Sequence, residues 1–157
     1  MKSIFEVCTP REDILRGEVK ESSYAADLAQ VLKNEGPLEY KNANTFYENT
    51  HPTEGLKNLL SNVCKRLSGS GQEATSIFRL DTQYGGGKTH ALIALAHLAR
   101  EGSRIANIDE FIPKDLLPDT EVAIGAFDGE NSDPLNGRSM PGGVKAYTPW
   151  GELACQL

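Results

Sequence analysis

The chain has 157 residues, enough for about one domain, and its 39% hydrophobic and 24% charged content is an ordinary globular balance. A formal net charge of -6 and a pI of ≈ 5.1 exclude the clustered basic footprint that grips duplex nucleic acid, so no direct DNA-binding patch is expected. Cys8, Cys64 and Cys155 are odd in number, far apart and without C-x-x-C or Cys/His spacing, which argues against a disulfide framework or a zinc site and for a reducing cytoplasm.

Residues 1–9 hold one lysine and too short an apolar stretch for a signal peptide, and no run approaches the roughly 18 apolar residues of a membrane span. Thr9-Pro10-Arg11-Glu12 reads as a capping box with proline at the first helical position, opening a short helix that Gly17 stops. Ser22 or Ser23 can cap a second helix through Lys33, with Tyr24, Leu28, Val31 and Leu32 on one side and Gly36-Pro37 after it. Residues 42–50 form a polar stretch whose Phe46 and Tyr47 are read as docking the segment rather than stacking a ligand base. After Pro52, Thr53 caps an amphipathic helix with Leu56, Leu59, Leu60, Val63, Cys64 and Leu67 at helical spacing. That stripe should pack on an adjacent sheet, with Cys64 as a buried structural thiol and 68–71 as the connecting loop.

The apolar run 76–80 reads as a strand, followed by Thr82-Gln83-Tyr84-Gly85-Gly86-Gly87-Lys88-Thr89-His90 and an alanine/leucine-rich helix. Strand, glycine loop, Lys-Thr and helix in that order make a phosphate-binding loop. Glycines can take positive φ and turn backbone N–H groups around phosphate oxygens, and the helix N-terminus adds unpaired donors and a positive dipole end. Lys88 is placed as the catalytic point charge on the β- and γ-phosphates, and the Thr89 hydroxyl as a magnesium ligand. In the G-x-x-x-x-G-K-[ST] pattern Thr82 stands where the first glycine belongs, so the match is incomplete at the start of the loop. His90 is carried with the nucleotide-binding set 82–90 but without a role of its own, since a packed or surface helix histidine explains it as well.

The helix over 90–100 is apolar on more than one side, and 108–117 is a short helix or turn before Pro118. Residues 121–127 read as a second, parallel strand with Asp128 and Glu130 at its carboxyl end, where α/β sheets keep their ligands. Two readings stand: Asp128 holds magnesium through water and Glu130 activates the attacking water, or this is simply the next strand and the acidic strand lies further on. Residues 128–139 mimic a calcium loop, but Asp133 stands where glycine is required and Ser139 where glutamate is, so calcium is rejected. Residues 131–143 form a loop, and Thr148-Pro149 starts a helix with Trp150, Leu153, Ala154 and Leu157 that stops mid-pattern.

The expected fold is α/β, an incomplete P-loop NTPase three-layer sandwich with a mainly parallel sheet (53–157), preceded by an N-terminal helical segment (1–52). The blocks Thr9-Pro10-Arg11-Glu12-Asp13-Ile14-Leu15, Thr53-Glu54-Gly55-Leu56, Arg79-Leu80-Asp81-Thr82, Gly85-Gly86-Gly87-Lys88-Thr89-His90 and Trp150-Gly151-Glu152-Leu153-Ala154 together resemble one family. It is the family of large prokaryotic AAA-type ATPases carried as a domain of unknown function and encoded beside adenine-specific DNA methyltransferases and helicases in restriction-like, anti-phage gene clusters. The resemblance implies ATP and magnesium as cofactors, DNA methyltransferase and helicase proteins as partners, room for a homo-oligomer, and ATP hydrolysis driving a defence complex in a longer protein. It also implies that the acidic motif and any arginine finger lie beyond Leu157. ATP over GTP rests on the resemblance alone. A nucleotide sensor that does not hydrolyse and a P-loop phosphotransferase are the alternatives from other classes.

Overall fold

The structure, a computed structural model, describes residues 3–10, 12–17, 26–69, 75–81, 83, 85–129, 132–133 and 135–157. Two single-turn helices come first, α1 (Ile4–Val7) and α2 (Glu12–Leu15). A capping box closes α1, with the Ser3 amide donating to the Glu6 carboxylate at 3.1 Å. The box expected at Thr9–Glu12 includes Arg11, which lies outside the described residues, whereas Gly17 ends the α2 turn at φ +67° as the sequence suggests.

Ser22, Ser23 and Tyr24 also lie outside the described residues; the next helix, α3 (Leu28–Leu32), is capped by Asp27, whose carboxylate accepts the Ala29 and Gln30 amides. The polar stretch after it is helical: α4 (Leu38–Lys41) runs into α5 (Ala43–Glu48), capped by Asn42 accepting the Thr45 amide at 2.9 Å. Phe46 and Tyr47 do dock this segment, at 1% and 0% exposure. Helix α6 (Glu54–Leu67) begins where Thr53 accepts the Leu56 amide and buries Leu56, Leu60 and Cys64 from its apolar stripe. Helix α7 (Lys88–Glu101) follows the glycine turn and buries Ile93, Ala94, Ala96, His97 and Leu98. Three 3-10 turns (Gly102–Arg104, Ile108–Glu110 and Lys114–Leu116) then return the chain to the core, where Ile105, Ile108, Phe111, Ile112 and Leu117 are buried.

The expected parallel-sheet sandwich is not what the structure contains. Among the described residues the sheet is one antiparallel pair, β1 (Arg138–Ser139) with β2 (Lys145–Ala146), in register Arg138 with Ala146 and Ser139 with Lys145. Neither 76–80 nor 121–127 is a strand. A strand is defined by a paired neighbour, and these runs have apolar composition without a ladder partner among the described residues. At Ala126 the partner is instead a side chain: Gln156 accepts its amide at 2.8 Å and donates to its carbonyl at 2.9 Å. The stripe of α6 therefore packs not on a sheet but into a helical core shared with α3, α5, α7 and the 3-10 turns.

The turn into β1 needs Gly137, since φ is +68° and a Cβ there would sit 2.9 Å from the Ala146 carbonyl. Asp133 makes an Asx turn, accepting the Leu135 and Asn136 amides. Thr148 caps α8 (Pro149–Ala154) as expected, and the buried Glu152 carboxylate of α8 pairs with Arg138 of β1 at 2.5 Å.

Tyr47 is the hinge pin of the core: its ring packs edge-on against Phe111 at 4.8 Å and its hydroxyl donates to the Ala94 carbonyl at 2.8 Å. Burial pushes its phenol well above the usual range, so it is a neutral donor. Tyr47→Phe should cost about 1 kcal/mol in urea unfolding and Tyr47→Ala about 3–5 kcal/mol, the difference being the ring volume. Cys64 is buried with its thiol pushed up to about 11 by burial, whereas Cys8 and Cys155 are exposed. A thiol reagent at pH 8 should thus label two cysteines rapidly and Cys64 only on unfolding, read by peptide mass spectrometry.

Candidate phosphate-binding site

Gly85 and Gly87 adopt φ of +79° and +75°, and between them the Gly86 amide donates to the Gln83 carbonyl at 3.0 Å. A Cβ at either position would meet nothing within 4 Å, so backbone conformation rather than space demands glycine. Gly87 is the N-cap of α7 and has no side chain with which to cap it. The first amides of an α-helix have no intrahelical acceptor, and here they start a 14-residue helix. Gly85, Gly86, Gly87 and Thr89 are exposed and Lys88 is half-buried, so the turn faces solvent.

Lys88 is the first residue of α7, and its Nζ donates back to the Gln83 carbonyl at 3.1 Å. Its ammonium thereby lies against the loop it is expected to serve. Thr82 and Tyr84, both in the expected binding set, lie outside the described residues. The structure thus brings together Gln83, Gly85, Gly86, Gly87, Lys88 and Thr89 in one turn at a helix start.

His90 goes elsewhere. Its ring packs on Phe46 with centroids 4.5 Å apart, and its Nε2 lies 2.9 Å from Thr50 Oγ1. Thr50 donates its single hydroxyl proton to the Phe46 carbonyl at 2.7 Å, so it must accept from His90, which fixes the Nε2–H tautomer. One helical face down, His97 Nε2–H donates to the Tyr40 carbonyl at 2.7 Å. Sequence reasoning missed Thr50, which lies 40 residues from His90 and has no local signature.

Of the acidic residues considered with the loop, Asp81 is engaged elsewhere. Exposed Asp81 pairs with exposed Arg79 at 3.0 Å, a contact worth little in water. The main-chain carbonyl of half-buried Asp128 accepts from Arg138 at 3.5 Å, and Glu130 lies outside the described residues. Among the described residues no group of three or more His, Cys, Asp or Glu side chains could hold a metal by itself. Any ion at Thr89 would take most of its ligands from phosphate and water. No described helix is long and apolar enough to cross a membrane.

These features define a mainly helical chain that carries a solvent-facing glycine turn, a lysine and a threonine at the start of a core helix. It belongs to the DUF499 N-terminal domain family, whose model matches residues 5–157. No curated protein and no solved structure matches the chain.

Burial lowers the pKa of His90 from its ordinary 6.5 and does the same for His97, against smaller raising effects from Tyr40 and Glu101. Both rings are hydrogen-bonded as neutral donors, and the unfolded chain takes up protons on these histidines at higher pH than the folded one does. Stability is therefore full above about pH 6.5 and falls as pH drops below it. Thermal melts at pH 7.5 and 5.5 should show a lower midpoint at 5.5, and His97→Gln should flatten the difference.

Proposed function

We propose that the turn 85–89 binds the phosphates of ATP together with magnesium. The observation that carries this reading is the pair of positive-φ glycines immediately before a core-anchored 14-residue helix that has Lys88 as its first residue. In such a turn backbone N–H groups converge on an anion, and the helix dipole favours negative charge at the same point. The Lys88 ammonium, resting on the neutral Gln83 carbonyl, would exchange that acceptor for an ionised phosphate oxygen, a hydrogen bond roughly twice as strong. Exposed Thr89 would offer its hydroxyl to magnesium, the residue of this turn fitted to hold the ion. Bound magnesium neutralises phosphate charge; the chain's own part is to hold and orient the triphosphate through 85–89.

The larger reading is carried by the family resemblance: a cytoplasmic AAA-type P-loop ATPase whose hydrolysis drives a DNA-acting, anti-phage complex with methyltransferase and helicase partners. Lys88 then serves catalysis by countering charge that develops on the transferred phosphoryl group.

Mg-ATP at a hundredfold excess over its Kd should stabilise the wild-type chain by about 2.7 kcal/mol, seen as a raised melting midpoint. Lys88→Ala should remove most of that shift, measured against the ligand-free midpoint of the same variant. Thr89→Ala should remove its magnesium dependence. An unchanged midpoint with Mg-ATP in the wild type would end the proposal.

A further inference from the structure

We infer that His90 is a positioning residue through which α5 and Thr50 hold the phosphate-binding turn in its working orientation, an inference that rests on the phosphate-binding reading above. His90 is the third residue of α7 and shares a helical turn with Lys88 and Thr89. Its side chain leaves that turn sideways. The ring lies on Phe46, and Nε2–H donates to Thr50 Oγ1, which is itself pinned by donation to the Phe46 carbonyl. The other polar anchors of α7 act at Ala94, His97 and Arg100, one to three turns further on. His90 is therefore the anchor that bears on the turn carrying the lysine and the threonine. That turn begins at a glycine without a side-chain cap, and helix ends of this kind fray unless held.

Ring packing alone would be served by phenylalanine. The hydrogen bond adds direction, because it fixes the rotation of α7's first turn against α5 and with it the aim of the first-turn amides. Binding and positioning are reciprocal: if an anchored turn binds phosphate better, bound phosphate must strengthen the anchor by the same factor. The N-terminal segment is then coupled to nucleotide occupancy at the first turn of α7 through the His90–Thr50 contact.

The test measures Mg-ATP Kd by calorimetry on the 157-residue chain. His90→Phe keeps the ring on Phe46 and removes the donor; Thr50→Val removes the acceptor; His90→Gln places an amide N–H near the original Nε2. The first two should each weaken binding about fivefold, the worth of one hydrogen bond, and the double variant should be no weaker than either alone. His90→Gln should restore the wild-type Kd. His97→Phe, which breaks the bond to the Tyr40 carbonyl two turns away, should lower the melting midpoint and leave Kd in place. Hydrogen exchange of residues 43–50 should slow with Mg-ATP in the wild type and not in His90→Phe. If His90→Phe does not fold, Thr50→Val against wild type decides the matter by the same comparison. Wild-type binding with unchanged Kd in the His90 and Thr50 variants, or an equal loss in His97→Phe, overturns the positioning role and leaves the phosphate reading standing. Failure of the wild type to bind overturns both.

Discussion

Helix α7 is tied to the N-terminal segment along one face by polar contacts at positions 90, 94, 97 and 100, a spacing that follows the helical repeat. His90 donates to Thr50, Ala94 accepts from Tyr47, His97 donates to the Tyr40 carbonyl, and Arg100 reaches the carbonyls of Val31 and Leu32 at the end of α3. Burying such groups costs free energy unless each finds its partner, about 1–3 kcal/mol for each one left unmade. Sliding α7 by one residue would break the whole series together. The contacts therefore fix register, whereas the apolar neighbours Ile93, Ala94 and Leu98 supply attraction that is indifferent to direction. Arg100 adds a cation beside the last carbonyls of α3, where the helix dipole favours it.

The other side of α7 is less fully covered. Leu92 and Leu95 line an apolar pocket of ≈ 280 Å³ together with Val63 and Cys64 of α6, Leu28 and Leu32 of α3, and residues 122–126. The sequence of α7 is apolar beyond one face for this reason: one face meets the α3–α5 segment and the other this pocket. Residues 122–126 lie here and are held at their far end by α8 and the residues just after it, since a Cβ on Gly125 would already press on Leu153 and Leu157. The Arg138–Glu152 pair then ties α8 to β1, so the C-terminal elements stand on an ion pair between a half-buried arginine and a buried glutamate rather than on an extended sheet. Removing Arg138 would strand the buried Glu152 carboxylate without its partner, which makes this a specific contact whatever its net contribution to stability.

Helices were legible where the signal is local. Thr53 as cap and the Leu56, Leu60, Cys64 stripe lie within one element, as do Thr148 and Pro149 at the start of α8, and residues 3–4 apart are neighbours by helix geometry alone. The glycine turn was legible for the same reason, since positive φ is a property of single residues. Strands were not. Residues 76–80 and 121–127 have the apolar content of buried strands, but composition reports hydrophobicity and a ladder requires a partner elsewhere in the chain. The stretch 42–50 was legible only in part: Phe46 and Tyr47 dock it as their type suggests, but its Asn and Thr content gave no sign of the helix that Asn42 caps and that Tyr47 pins to α7. Thr50 was invisible because its importance consists of a contact across 40 residues.

The glycine turn itself contributes little to stability. Its residues are exposed, so it buries almost no apolar surface, and glycine loses more backbone freedom on folding than any other residue. A loop of this composition left to itself would sample many conformations, and an anion would have to select one at the expense of its own affinity. What limits the loss is the fixed end: Gly87 leads directly into a helix whose register and rotation are set by four polar contacts and a packed core. Order in the turn thus descends from α7, and order in α7 descends from its fit to α3, α4 and α5. A loosening of that fit at the first turn itself would be felt in the proposed phosphate binding before it was felt as unfolding, because the first turn of a helix opens at lower free energy than its middle.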